Sequence, residues 1–188
     1  IVQLTRLKMH VKQPSTLKII EKYMKEAAHN RGVSLSEIED LSMDDFGLTN
    51  GIKTFSIGTF HLELKLLGPG KINLQIIDKN GIPKKTIPKE LKEKNSDAVK
   101  KIQKIIKSLE IASTAHRDRL DHMYKGKRMM PCDHFVKYYL DHGMMSVIVK
   151  KLVWTISGKS GLKNAIYIND AWIDSHGKPI RISDPSEI

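Results

Sequence analysis

An α+β fold is predicted by three switches of hydrophobic period along this 188-residue chain. Apolar residues recur every three or four positions at the start, alternate one-in-two after Asn50-Gly51, return to helical spacing from Asp97, and alternate again near the end. The expected architecture is a set of N-terminal helices, an antiparallel β-meander, a three-helix segment with a long basic helix, and short C-terminal strands. Three stretches follow: 1–95, helices plus meander; 96–158, helical; and 159–188, short strands cut short at the end. They are expected to form one compact unit. Because the chain opens on Ile1 and stops at Glu187-Ile188 as a new segment begins, it reads as a fragment of a larger protein.

Each element has a local cause. Leu4, Leu7 and Val11 fall in register as the tail of a first helix. Leu17, Ile20, Tyr23, Met24, Ala27 and Ala28 make the stripe of a helix over 16–31, started by Pro14-Ser15 and stopped by Gly32. Ser34 and Glu37 have capping-box spacing ahead of Ile38 and Leu41. Strands over 52–57, 60–66 and 72–76 are separated by Gly58-Thr59 and Gly68-Pro69-Gly70. Their alternation leaves one apolar face and one polar face. Pro83 and Pro88 mark 82–88 as an irregular edge.

Val99, Ile102, Ile106 and Leu109 predict a helix from residue 97 to about 123, with Lys100, Lys104 and Lys107 as a neighbouring stripe. Pro131 opens a second helix with Phe135, Val136, Tyr139 and Leu140 inward, and Gly143 closes it. A third is expected over 144–154. After Gly158-Lys159-Ser160-Gly161 the pattern gives strands over 165–168, 171–173 and 179–182.

Composition narrows the class. The chain is 40% hydrophobic and 28% charged, in the range of folded globular domains. No apolar run approaches the ~18 residues of a spanning helix, the first residues lack signal-peptide character, and the single Cys132 cannot form an internal disulfide. A cytoplasmic location without membrane contact is expected. The excess of 32 Lys+Arg over 21 Asp+Glu, +11 in all, favours a polyanionic partner such as nucleic acid. With only 6% aromatic residues, none interleaved with the basic ones, a base-stacking surface is not supported.

Candidate chemistry is thin. Asp45-Phe46-Gly47-Leu48 imitates a kinase metal-binding signature without a glycine-rich loop, strand lysine or catalytic loop to accompany it, and reads as a turn with Phe46 and Leu48 inward. Cys132, His134, His116, His122 and His142 lack paired ligand spacing, so no metal and no cofactor is expected. Asp121-His122, Asp133-His134 and Asp141-His142 read as surface or capping pairs. Cys132 reads as a small buried thiol, and Gly158-Lys159-Ser160-Gly161 as a turn rather than a phosphate loop. What remains is positive potential: Arg117, Arg119, Lys127 and Arg128 are the candidate binding residues. Arg117 and Arg119, two apart on a helix, diverge by roughly 200°.

The order of features resembles a bacterial domain of unknown function that commonly follows a WGR domain in proteins described as molybdate metabolism regulators. The resemblance rests on Asp45-Phe46-Gly47-Leu48, Asp78-Lys79-Asn80-Gly81 leading to Thr86-Ile87-Pro88-Lys89, His116-Arg117-Asp118-Arg119-Leu120, Gly126-Lys127-Arg128, Tyr139-Leu140-Asp141-His142, Lys151-Leu152-Val153-Trp154 and Asp174-Ser175-His176-Gly177-Lys178. Two departures stand out: Met129 where the family tends to have tryptophan, and His142-Gly143 where it tends to read His-Pro. The resemblance implies a neighbouring WGR domain and work near DNA, and supplies no catalytic residues.

Three roles follow as expectations. The first is a non-enzymatic regulatory or interaction domain, binding a polyanion or a partner protein through its basic helical surface. The second is an enzyme site assembled from dispersed residues such as His116, Arg119 and His142. The third is an intramolecular scaffold packing on neighbouring domains.

Overall fold

The computed structural model describes residues 1–158 and 161–180, and has the predicted α+β architecture. Helices α1 (Val2–His10), α2 (Pro14–Asn30) and α3 (Leu35–Leu41) come first. α2 begins two residues before the stripe suggested, because Pro14 fits a first helical turn whose N–H groups have no partner anyway. Ile20, Met24, Ala28 and Ile38 close a small core between α2 and α3. In α1 the expected inward Leu7 is 47% exposed, and Thr5 is buried in its place. The reason is polar: the Thr5 hydroxyl pairs with that of Ser42 at 2.6 Å, which turns this face of α1 toward the end of α3.

The meander follows as β1 (Ile52–Ile57), β2 (Phe60–Gly68), β3 (Lys71–Ile77) and β4 (Pro83–Lys84), antiparallel in that order. The register sets Phe55 opposite Leu62 and Leu64 opposite Leu74. Phe60, Leu62, Leu64 and Leu66 are all buried. Residues 83–84 sit on the sheet's edge beside β3, where missing proline N–H groups cost nothing.

A short helix, α4 (Lys89–Lys94), leads into α5 (Ser96–Lys125), about 45 Å long at 1.5 Å per residue. α5 buries Val99, Ile102, Leu109, Ala112, Ser113, His116 and Leu120. Its first half closes a core with Phe60, Leu62 and Ile76 of the meander. Its second half joins the largest core, with Leu64, Leu66, Phe135, Tyr139, Met145 and Trp172.

The end of α5 has the geometry of a Schellman motif. The Lys127 N–H donates to the Tyr124 carbonyl at 3.1 Å, the Arg128 N–H donates to the Met123 carbonyl at 3.1 Å, and Lys127 has φ 49°. This reversal sends the chain back along the helix. α6 (Cys132–Phe135) runs into a π-helical turn, Val136–Leu140, and α7 (Met145–Val149) follows. Between them, Gly143 is buried with its backbone against the Leu48 carbonyl, so close that no Cβ fits. That contact accounts for glycine after His142, since a proline ring would occupy the same space.

The third helix, expected over 144–154, is corrected: α7 ends at Val149 and Trp154 opens a strand. Val153 to Ile156 is β-prone, and the Trp154 indole N–H donates to the Val149 carbonyl at 2.9 Å, which folds the chain out of the helix. The strands β5 (Trp154–Gly158), β6 (Gly161–Ile168), β7 (Ala171–Asp174) and β8 (Pro179–Ile180) form a second antiparallel sheet in that order. Asn169 and Asp170 make its central two-residue turn with φ 51° and 60°, as a type I′ turn requires. The centre of the expected Gly158-Lys159-Ser160-Gly161 turn, and the end of the expected strand over 179–182, lie outside the described residues.

Candidate functional site

The most densely connected polar group among the described residues is Asp40, whose carboxylate is fully buried. The Ser34–Glu37 capping box fixes the start of α3: the Glu37 N–H donates to Ser34 Oγ at 3.1 Å and the Ser34 N–H to Glu37 Oε2 at 2.7 Å. Ile38 anchors α3 in its core, and Asp40 then points toward α5. Its Oδ1 accepts from Arg119 Nη1 at 2.5 Å and from the Tyr139 hydroxyl at 2.6 Å. Its Oδ2 accepts from Arg128 Nη2 at 2.7 Å and lies 2.8 Å from His134 Nε2.

Two guanidiniums around one carboxylate leave an excess of positive charge, which Glu39 offsets from 4.0 Å on Arg119. Lys8 reaches Glu39 at 2.9 Å and ties α1 to the same network. Burial alone raises the Asp40 pKa, but the Arg119 charge and the hydrogen bonds from Arg128, Tyr139 and Arg119 outweigh it. The carboxyl is held below its ordinary value. For Tyr139, burial leads and the adjacent carboxylate adds to it, so the phenol is held in its neutral, donating form. Arg119 also stacks over the Tyr139 ring, 5.7 Å from its centroid.

The four sequence-predicted binding residues therefore divide. Arg119 and Arg128 come together, but around Asp40. Arg117 lies on the exposed side of α5, its Nη2 2.6 Å from Asp118. Lys127 is exposed at the reversal after α5. His134, expected on the surface, is turned inward to Asp40, while its own N–H donates to Asp133 Oδ1 at 2.8 Å in the manner of a cap. His142 caps α7: its Nδ1 accepts from the Met144 and Met145 N–H groups, both at 3.2 Å. Cys132, expected buried, is half-buried, and burial followed by the Asp133 charge raises its thiol pKa.

Two clefts flank this network. One, of about 540 Å3, includes Asp40, Asp44, Asp45, Asp141 and His142 in its lining. The other, of about 500 Å3, runs between α1, the segment after α3 and α5, with His116 in its wall. His116 and His142 thus belong to different clefts. His116 is only 3% exposed, and neither ring nitrogen has a hydrogen-bond partner among the described residues. Burial first, then the charges of Arg119 and His142, lowers its pKa to about 3. At neutral pH it is an uncharged imidazole, with one donor and one acceptor left over. No group of three or more His, Cys, Asp or Glu among the described residues is arranged to hold a metal ion.

The residues that sequence reasoning missed are Asp40, His134 and the hydroxyl of Tyr139. Asp40 is separated from its four partners by 79, 88, 94 and 99 positions, so no local pattern connects them.

An α+β domain with a buried arginine–carboxylate hub is the class these features define. Within that class, a family model described as Domain of unknown function (DUF4132) matches residues 81–188, and the chain belongs to that family. The matched part holds Arg119, Arg128, His134 and Tyr139, while Asp40 lies before it. No curated protein and no solved structure matches the chain. No helix among the described residues is long and apolar enough to cross a membrane.

Proposed function

We propose that this chain is a non-enzymatic regulatory or interaction domain that engages a polyanion, nucleic acid in the first instance, through the lysine face of α5. The single observation that carries the reading is the partition of its cations. Arg119 and Arg128 are committed to Asp40, whereas Lys100, Lys104 and Lys107 are exposed along one stripe, and among the described residues the one ion pair within 4.0 Å that any of the three makes is Lys100 with Asp97. Exposed lysines of this kind make phosphate contacts, which fix position without reading sequence. The exposed side of the same helix turns acidic further on, at Asp118 and Asp121.

The state of His116 favours binding over catalysis. A general acid or base works best with a pKa near the operating pH, and His116 is far below it. The resemblance to domains that follow WGR modules in molybdate metabolism regulators supplies the setting: a bacterial, cytoplasmic parent protein that acts near DNA, with this domain adding non-specific affinity.

The test is titration with short duplex and single-stranded DNA at low salt. The reading expects binding that weakens steeply as salt rises. Absence of binding to either form at low salt removes the polyanion and leaves a protein partner.

A further inference from the structure

The cleft beside α1 has the makings of a ligand site that borders the lysine stripe at Lys104 and runs inward from it. Lys104 lines its mouth, and Lys101, Ile105, Ser108, Ala112 and His116 line it along α5. Their spacing of four, three, four and four residues makes a continuous row along α5, about 22 Å from end to end. The row is graded. Lys101 is exposed at one end, Ile105 is half-buried in the middle and faces Met9 and Phe46 across the cleft, and His116 is buried at the other end. Arg6 and Asp44 also line the cleft but neutralise each other as an ion pair.

A buried imidazole with two unmet hydrogen-bonding atoms carries a desolvation cost that a ligand's polar group can relieve. We propose that this cleft binds an elongated organic anion whose acidic head meets Lys101, whose apolar body lies along Ile105, Met9 and Phe46, and whose far end offers a hydroxyl to His116. The neutral state of His116 fits a hydroxyl, which can both donate and accept, better than a second charge. The lining between the two ends is mainly apolar, which suits a medium-length alkyl chain. Lys104 of the lysine stripe also lines the cleft beside Lys101, so the two sites share a cation at this end, while the apolar middle and His116 belong to the cleft.

Three probes separate the parts: ω-hydroxydodecanoate, dodecanoate and dodecanediol, followed through the His116 imidazole NMR signals and by calorimetry. The hydroxy acid is expected to shift the His116 signals and to bind about fivefold more tightly than dodecanoate. It should exceed the diol by about tenfold, and Lys101→Glu should erase that second advantage. Ile105→Trp, which fills the cleft, should abolish binding of all three; if that variant fails to fold, the surface change Lys101→Glu still decides. Unmoved His116 signals with every probe, or equal affinities that Lys101→Glu leaves unchanged, overturn the proposal.

Discussion

The two halves of α5 use their polar residues in opposite ways. From residue 97 to 110 the cations are exposed lysines, each free to keep its water, over an apolar underside that packs on the meander. From residue 112 to 123 the polar groups His116 and Arg119 turn inward among Ala112, Leu120, Tyr139 and Met145. A lysine ammonium on the surface costs little and gains little. A guanidinium inside must be matched in charge and in geometry: Asp40 supplies the charge, the Tyr139 hydroxyl takes a second N–H of Arg119 at 3.1 Å, and Arg119 Nε has no partner among the described residues. The same composition that suggests a polyanion-binding surface therefore contains two populations, and the inward one is closed to a partner.

The largest break in this comparison is Asp40→Asn. It removes the charge that both Arg119 and Arg128 need while leaving them inside, and is expected to cost about 3–5 kcal/mol in urea unfolding. A loss below about 1 kcal/mol would show that the arginines had found water or other partners. Replacing Lys107 with alanine is the contrasting control, expected within about 0.5 kcal/mol.

His116 sharpens the comparison through pH. Its pKa is about 3 when folded against an ordinary 6.5, so between these values the unfolded chain takes up a proton that the folded one does not. Stability therefore falls as pH drops below about 6.5, at roughly 1.4 kcal/mol per unit, and levels off near the folded value. Asp40 adds to the loss only lower, as pH falls from the ordinary carboxylate range through its depressed folded value. Urea unfolding of His116→Leu at pH 7.5 and pH 5 should show about 2 kcal/mol less acid loss than the parent. At pH 7.5 the variant should be as stable or more so, because two buried unmet groups are gone. Equal acid loss in both would mean His116 is protonated when folded.

A smaller effect concerns the reversal that delivers Arg128. Lys127 holds a left-handed conformation that glycine adopts at no steric cost. Lys127→Gly should raise stability by up to about 1 kcal/mol without changing the Asp40 network, read as a shift in thermal midpoint. Destabilisation would place Lys127 in contacts beyond its backbone role.

Much of the fold was legible because it is written in short-range patterns. The meander's alternation, the Ser34–Glu37 box, the glycine turns and the long α5 stripe all depend on residues within a few positions of one another. The helix expected over 144–154 was misread because Met145, Ile148 and Leu152 keep helical spacing, whereas the pairing of Trp154 with Ala165 across a second sheet has no local signature. The site was less legible for the same reason. Arg119 and Arg128 could be singled out by charge, but the residue they serve is 79 and 88 positions away. Nothing around Asp40 distinguishes it from Glu39 beside it until α3 is docked.

The division between inward arginines and outward lysines is tested most directly by the salt dependence of duplex DNA binding, compared between two variants. Exchanging Lys100, Lys104 and Lys107 for glutamine should lower the magnitude of the log–log slope by about three, one phosphate contact per lysine. Arg128→Gln, measured under conditions where the domain remains folded, should leave the slope unchanged. A fall in slope for Arg128→Gln with none for the lysine variant would contradict the partition and return the arginines to the binding surface.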